Sequence, residues 1–255
     1  MRNTLWTFGC SFTAEYHPVG LESFETNYDK YKAWRGGNLP DVWPTLLAKK
    51  LDYNVFNSAI GGNSNYGIIS QFNDIADKIK KDDILIFGWT SVLRFTLANF
   101  KDKIFNHVLI CDSDYSGTYV SKKGIDEIFH NRSNPFWTYE IHKWIHMINA
   151  FAYNIGAKAY HWTSDGTIFN SKTKFVNDNR FILPKSDMFN TFDLLGYLTL
   201  PIHYKCNDYC AKIHDETKQQ VKDTHMGEYG HKMQAEYFYD HIMGIDQKTK
   251  KYEIE

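Results

Sequence analysis

Two hydrophobic rhythms alternate along the first ninety residues. A short apolar run at about 3–9 (NTLWTFG) ends at Gly9 and reads as a strand. In the next apolar segment, PDVWPTLLAKKL, Trp43, Leu47 and Leu51 recur every four residues and Pro44 suits a first turn, which predicts a helix. Tyr53 to Ser58 predicts a second strand, and the Gly- and Asn-rich turn IGGNSNYG follows it. Over about 65–80, Ile68, Phe72, Ile75 and Ile79 form one apolar stripe of an amphipathic helix. DILIFGW is almost wholly apolar, as a strand buried on both faces must be. The resulting order, strand-loop-helix-strand-loop-helix-strand, argues for a parallel sheet with helices on both faces.

Beyond residue 95 the pattern loosens. Asp, Ser, Gly and Lys dominate about 100–135, which predicts an elaborated loop with a short hairpin. A long helix is expected from about 136 to 155, where Ile141, Ile145, Ile148, Ala152 and Ile155 step by four and three. AKAYHWT reads as a fourth strand. Residues 165–200 are irregular, with Pro184 and Pro201 as breakers, and helices are expected near 203–220 and 227–243. With no internal repeat and no low-complexity linker, the expected organisation is one domain over 1–246. It carries insertions at about 100–135 and 165–200, and a charged tail at 247–255. The expected fold class is a three-layer α/β/α sandwich around a central parallel sheet, of flavodoxin-like type.

Composition narrows the function classes. The formal net charge of -1 does not provide the broad basic footprint of a nucleic-acid binder, and no nucleic-acid partner is expected. No apolar stretch is long enough for a membrane span. The opening MRNTLWTFGC reads as neither a secretory leader nor an anchor, so a cytoplasmic location is expected. Four Cys without a framework of spacings suit a reducing compartment. Aromatic residues reach 16%, enough for a thick core and compatible with a carbohydrate-friendly surface.

Chemistry-bearing residues fall at the strand ends. The first strand ends in Phe8-Gly-Cys-Ser11, the second in Asn57-Ser-Ala-Ile-Gly-Gly-Asn-Ser-Asn65, and the third in Gly88-Trp-Thr-Ser91. Open α/β sheets bind ligands at this carboxyl edge. A Ser just past a strand can act as a nucleophile while backbone N–H groups of the turn stabilise an oxyanion. Asp223-Thr-His225, ahead of the last expected helix, supplies a candidate base with its carboxylate.

These four segments, in this order, resemble blocks I, II, III and V of the SGNH, or GDSL-like, hydrolases, with a coarser likeness to members encoded by bacteriophages. The resemblance covers about 1–95 and 220–243. Block I, usually Gly-Asp-Ser, is here Gly9-Cys10-Ser11. Gly62 matches the block II glycine, and His225-Met-Gly-Glu-Tyr-Gly-His231 fits block V. The resemblance implies a serine ester hydrolase without cofactor or metal, with Ser11 as nucleophile, His225 as base and Asp223 as orienting acid. It also implies an oxyanion hole from the N–H groups of Ser11 and Gly62. The third donor in the family is a block III Asn, and Thr90 stands in its place. Asn63, Asn65, Ser91 or Arg94 is a candidate replacement, and Asn63, Asn65, Trp89 and Arg94 are candidate substrate contacts. Asp223 stands two residues before His225, where the family usually has three, and position 222 is Lys.

Each of these residues also has a plain structural role open to it. Ser11 can cap a helix, His225 can sit in an exposed loop, Trp89 can pack, Arg94 can form a salt bridge, and His231 can lie on or under a helix. His203, Cys206, Cys210 and His214 are spaced like ligands along one helix face, but eleven helical residues span about 16 Å, too far for one ion. The expected reaction is removal of a short, acetyl-like acyl group from a saccharide or small-molecule ester. The alternatives are a degraded hydrolase scaffold serving as a binding or virion-associated module, and a lysophospholipase-like or thioesterase activity.

Overall fold

The computed structural model describes residues 2–15, 32–33, 36–90, 94–99, 104–109, 134–163, 178–182 and 228–246. A four-stranded parallel sheet has the order β2-β1-β3-β6, formed by β1 (Thr4–Phe8), β2 (Asn54–Asn57), β3 (Ile84–Trp89) and β6 (Lys158–Thr163). Helices α1 (Trp43–Leu51), α2 (Asn65–Asn73), α3 (Asn134–Ile155) and α4 (Glu228–Met243) complete an α/β fold. No described helix is long and apolar enough to cross a membrane.

The alternation of side chains in the strands sorts the core into two halves. Trp6 and Phe8 of β1, Leu85, Phe87 and Trp89 of β3, and Ala159 of β6 pack with Ile68 and Phe72 of α2 and Ile141, Ile145 and Ile148 of α3. Leu5, Ile84, Ile86 and Trp162 point the other way, onto Trp43 and Leu47 of α1 and Met233, Tyr237 and Phe238 of α4. The sheet is therefore sandwiched, and its central strand β3 is buried at every position. Ring contacts tie neighbouring elements within each layer: Phe8 of β1 stacks on Phe87 of β3 at 4.6 Å, and Trp43 of α1 meets Phe238 of α4 edge-on at 4.8 Å.

The ends of the elements follow local chemistry. Ser64 caps α2 by accepting from the Gly67 N–H at 3.2 Å. The helix expected over 65–80 stops at Asn73. Asn73 and Asp74 are residue types of low helix propensity, and a 3₁₀ turn at Ala76–Lys78 carries the chain on. That turn still delivers Ile75 and Ile79 to the core, so the apolar stripe is satisfied without a continuous helix. At the amino edge of the sheet, Asp83 accepts from the Thr4 N–H (2.8 Å), the Trp6 indole (2.9 Å) and the Lys80 N–H (2.9 Å). One buried carboxylate thus ties β1 to the start of β3.

The expected hairpin begins earlier than the composition suggested. β4 (Arg94–Asn99) and β5 (Ile104–Leu109) pair antiparallel as a separate two-stranded sheet. The helix expected at 203–220 lies outside the described residues, as does most of the segment 165–200.

Candidate active site at the carboxyl edge of the sheet

The strand order turns back at β1: β2 lies on one side of it and β3 on the other. Connections leave in opposite directions at such a point, and a crevice opens at the carboxyl ends of the two central strands. Ser11 stands three residues past β1, at that edge of the sheet. Its turn is tight, because the N–H groups of Thr13 and Ala14 both donate to the Cys10 carbonyl, at 2.9 and 3.0 Å. Ser11 is partly buried, while Cys10, Phe12 and Thr13 are buried around it.

The loop after β2 folds back over this turn. The Ile60 N–H and the Asn63 side-chain amide both donate to the Gly9 carbonyl, at 3.3 and 3.2 Å. Gly62 lies between them with φ +72°, a backbone region that glycine enters without the Cβ penalty. Among the described residues, no group accepts from the Ser11 N–H or the Gly62 N–H. Two donors are therefore left at the same edge, on segments bound to one carbonyl.

Asn57, at the end of β2, braces the arrangement. Its Oδ1 accepts from the Thr7 hydroxyl (2.9 Å) and the Ala59 N–H (3.2 Å), and its Nδ2 donates to the Thr13 carbonyl at 2.7 Å. Sequence reasoning gave Asn57 no role. An amide at the carboxyl end of an edge strand was the available signal.

The other expected site residues divide. Asn65 is buried and grips the backbone of Thr90: the Thr90 N–H donates to Oδ1 at 2.9 Å, and Nδ2 donates to the Thr90 carbonyl at 2.8 Å. Asn65 thus pins the end of β3 to the start of α2. Thr90, expected in the oxyanion hole, has its N–H engaged there and retains its hydroxyl as a donor. Asn63 is fully enclosed, and its amide faces Gly9. Neither Asn presents an exposed amide to a substrate, in contrast to the expectation.

Trp89, expected to line a substrate pocket, is a core residue instead. It has no exposed surface, it stacks with Phe87 and His161, and its indole N–H donates to His161 Nδ1 at 3.2 Å. Arg94 opens β4, opposite Leu109. Ser91, Asp223 and His225 lie outside the described residues. His231 is buried on α4, where its Nδ1 accepts from the Trp43 N–H at 3.2 Å, so it packs under the helix.

One group that sequence reasoning passed over is His161. It sits in the apolar face of β6 with Nδ1 accepting from Trp89 and Nε2 3.1 Å from Asn149 Oδ1. That pair of partners defines a neutral ring protonated at Nε2. Burial first, then the charge of Arg180, pushes its pKa down to about 3, against a smaller opposing pull from Asp178. Its role is to hold Trp89, and with it the end of β3.

No family model and no curated protein matches the chain. Among solved structures, a crystal structure of an acetyl xylan esterase is similar at 13% identity over 93% of this chain and 98% of the other, with a TM-score of 0.36. A superposition this loose says nothing of the chemistry performed here.

Proposed function

We propose that the chain is a serine ester hydrolase of SGNH type that removes a short acyl group through an acyl-enzyme. The observation that supports this reading best is that Ser11 and Gly62, in the loops after β1 and β2, each carry an N–H with no acceptor among the described residues. Both stand where the strand order reverses. In this reading Ser11 Oγ attacks the ester carbonyl carbon while His225 takes its proton. The negative charge on the carbonyl oxygen then gathers onto the two N–H groups. The alcohol leaves with the proton returned by His225, and water releases the acyl group by the reverse sequence. Asp223 orients the imidazole, and the Thr90 hydroxyl is the candidate third donor. Asn63 and Asn65 act as braces of this edge rather than as substrate contacts.

A saccharide or small-molecule ester is the proposed substrate, on the resemblance to SGNH hydrolases and the aromatic content. The test is turnover of p-nitrophenyl acetate and butyrate by wild type and by Ser11→Ala. Loss on the order of 10³-fold or more in the variant identifies the nucleophile. A high acetate-to-butyrate ratio supports the short-acyl reading, and the opposite ratio a lipid-like one. A folded wild type as inactive as the variant would sink the esterase reading and favour a scaffold kept for binding.

A further inference from the structure

We infer that Thr13 is a positioning residue for Ser11; the inference rests on the esterase reading and deepens it. Two glycines stand at the carboxyl ends of adjacent strands, Gly9 just past β1 and Gly88 in β3. A Cβ on Gly9 would lie 2.5 Å from Thr13 Oγ1 and 2.9 Å from Thr13 Cβ, and a Cβ on Gly88 would lie 2.8 Å from the same Oγ1. Real side chains do not approach that closely, so the Thr13 side chain fills the room that both glycines leave. Trp162 closes the space beyond: it is paired with Gly88 in register, and its Nε1 would lie 2.8 Å from that same Cβ.

The backbone of Thr13 is held as firmly as its side chain. Its N–H closes the turn onto Cys10 at 2.9 Å, and its carbonyl accepts from Asn57 at 2.7 Å. Ser11 lies two residues away inside the same turn. A wedge seated against two strands and tied at both backbone groups sets the height and angle of Ser11 over the sheet.

The hydroxyl of Thr13 has no hydrogen-bond partner among the described residues, although the residue is fully enclosed. A buried hydroxyl in that state is unfavourable, so hydrogen bonding is not what the position uses. Its shape is. Removing the wedge lets the turn settle toward the glycines and moves the nucleophile off the acyl carbon. A displacement of about 1 Å lowers rates on the order of 10²-fold. Substrate affinity, set elsewhere, does not follow.

The experiment measures kcat and KM for p-nitrophenyl acetate in wild type, Thr13→Ala, Thr13→Ser and Gly9→Ala. Thr13→Ala is expected to lose about tenfold or more in kcat with KM within about twofold of wild type. Thr13→Ser keeps Cβ and Oγ1, the two atoms that fill the space, and restores most of kcat. An active wild type with an equally active Thr13→Ala leaves the esterase reading standing and overturns this inference. Equal losses in the Ala and Ser variants overturn it as well. An inactive wild type removes the esterase reading and this inference with it. Where Thr13→Ala does not fold, Gly9→Ala decides, since its methyl meets the Thr13 side chain before any other group. A fall in kcat at constant KM supports the inference, and an unchanged kcat overturns it.

Discussion

Acidification from about pH 7 to about pH 4 is expected to remove roughly 3 kcal/mol of stability through one side chain, His161. In the folded protein the ring is enclosed between Trp89 and Asn149, and its pKa falls from the ordinary 6.5 to about 3. In the unfolded chain it titrates near the ordinary value. Between the two values the unfolded state binds a proton that the native state refuses, so stability falls as the pH falls. It is fully present above about pH 6.5, declines by about 1.4 kcal/mol per pH unit inside the window, and levels off below about pH 3. Arg180 and Asp178 are the charged groups that bear on the ring, with opposite signs, and neither changes the direction set by burial.

The assay is urea unfolding followed by tryptophan fluorescence at several pH values, for wild type and for His161→Leu. The variant orphans the Trp89 indole and the Asn149 amide, so at neutral pH it is less stable by about 2–4 kcal/mol. Its stability should nevertheless depend less on pH, and the difference in slope between the two proteins isolates His161 from the carboxylates they share. Parallel pH profiles would refute the reasoning, because they would mean that His161 gains no proton on unfolding.

Three further outcomes are expected. Asp83→Ala leaves the Thr4, Trp6 and Lys80 donors without their acceptor and should cost about 3 kcal/mol or more by chemical denaturation. Any turnover of the proposed ester substrate below the melting transition should be unaffected, since Asp83 lies at the opposite edge from Ser11. Asn65→Ala releases both backbone groups of Thr90 and should lower melting temperature and kcat together; wild-type values for both would show that the clamp is idle. Gly62→Ala meets no neighbour within 4 Å but must hold φ +72°, so a loss of about 1–2 kcal/mol should appear in thermal unfolding without a packing defect.

Much of the fold was legible in the sequence because a core-facing segment must repeat its apolar residues at the period of its element. The β1, α1 and β3 segments and the long helix ending at Ile155 lie where their apolar residues placed them, and β2, β6 and the last helix also lie within a few residues of their expected positions. The helix over 65–80 was overextended for the same reason: Ile75 and Ile79 continue the stripe, and a 3₁₀ turn can satisfy a stripe as well as a helix can. The candidate site was legible only as an address. Gly9, Ser11, Gly62 and Thr90 fall at strand ends, and a parallel sheet gathers strand ends at one edge.

What each polar residue does there was decided by tertiary structure. Asn63 and Asn65 read as substrate contacts because an amide in a Gly-rich loop resembles one. Their partners, Gly9 and Thr90, come from other strands and have no local signature. Trp89 alternates onto the same face as Phe87, so the sheet encloses it, whereas the run GWTS suggests a rim. His161 and Thr13 have no pattern in the chain that marks them. One acquires its neutrality and the other its wedge only when β3 comes to lie between β1 and β6. Local periodicity is a property of a segment and its own backbone. Hydrogen-bond partners, burial and the space beside a glycine are properties of neighbours that the chain brings together only on folding.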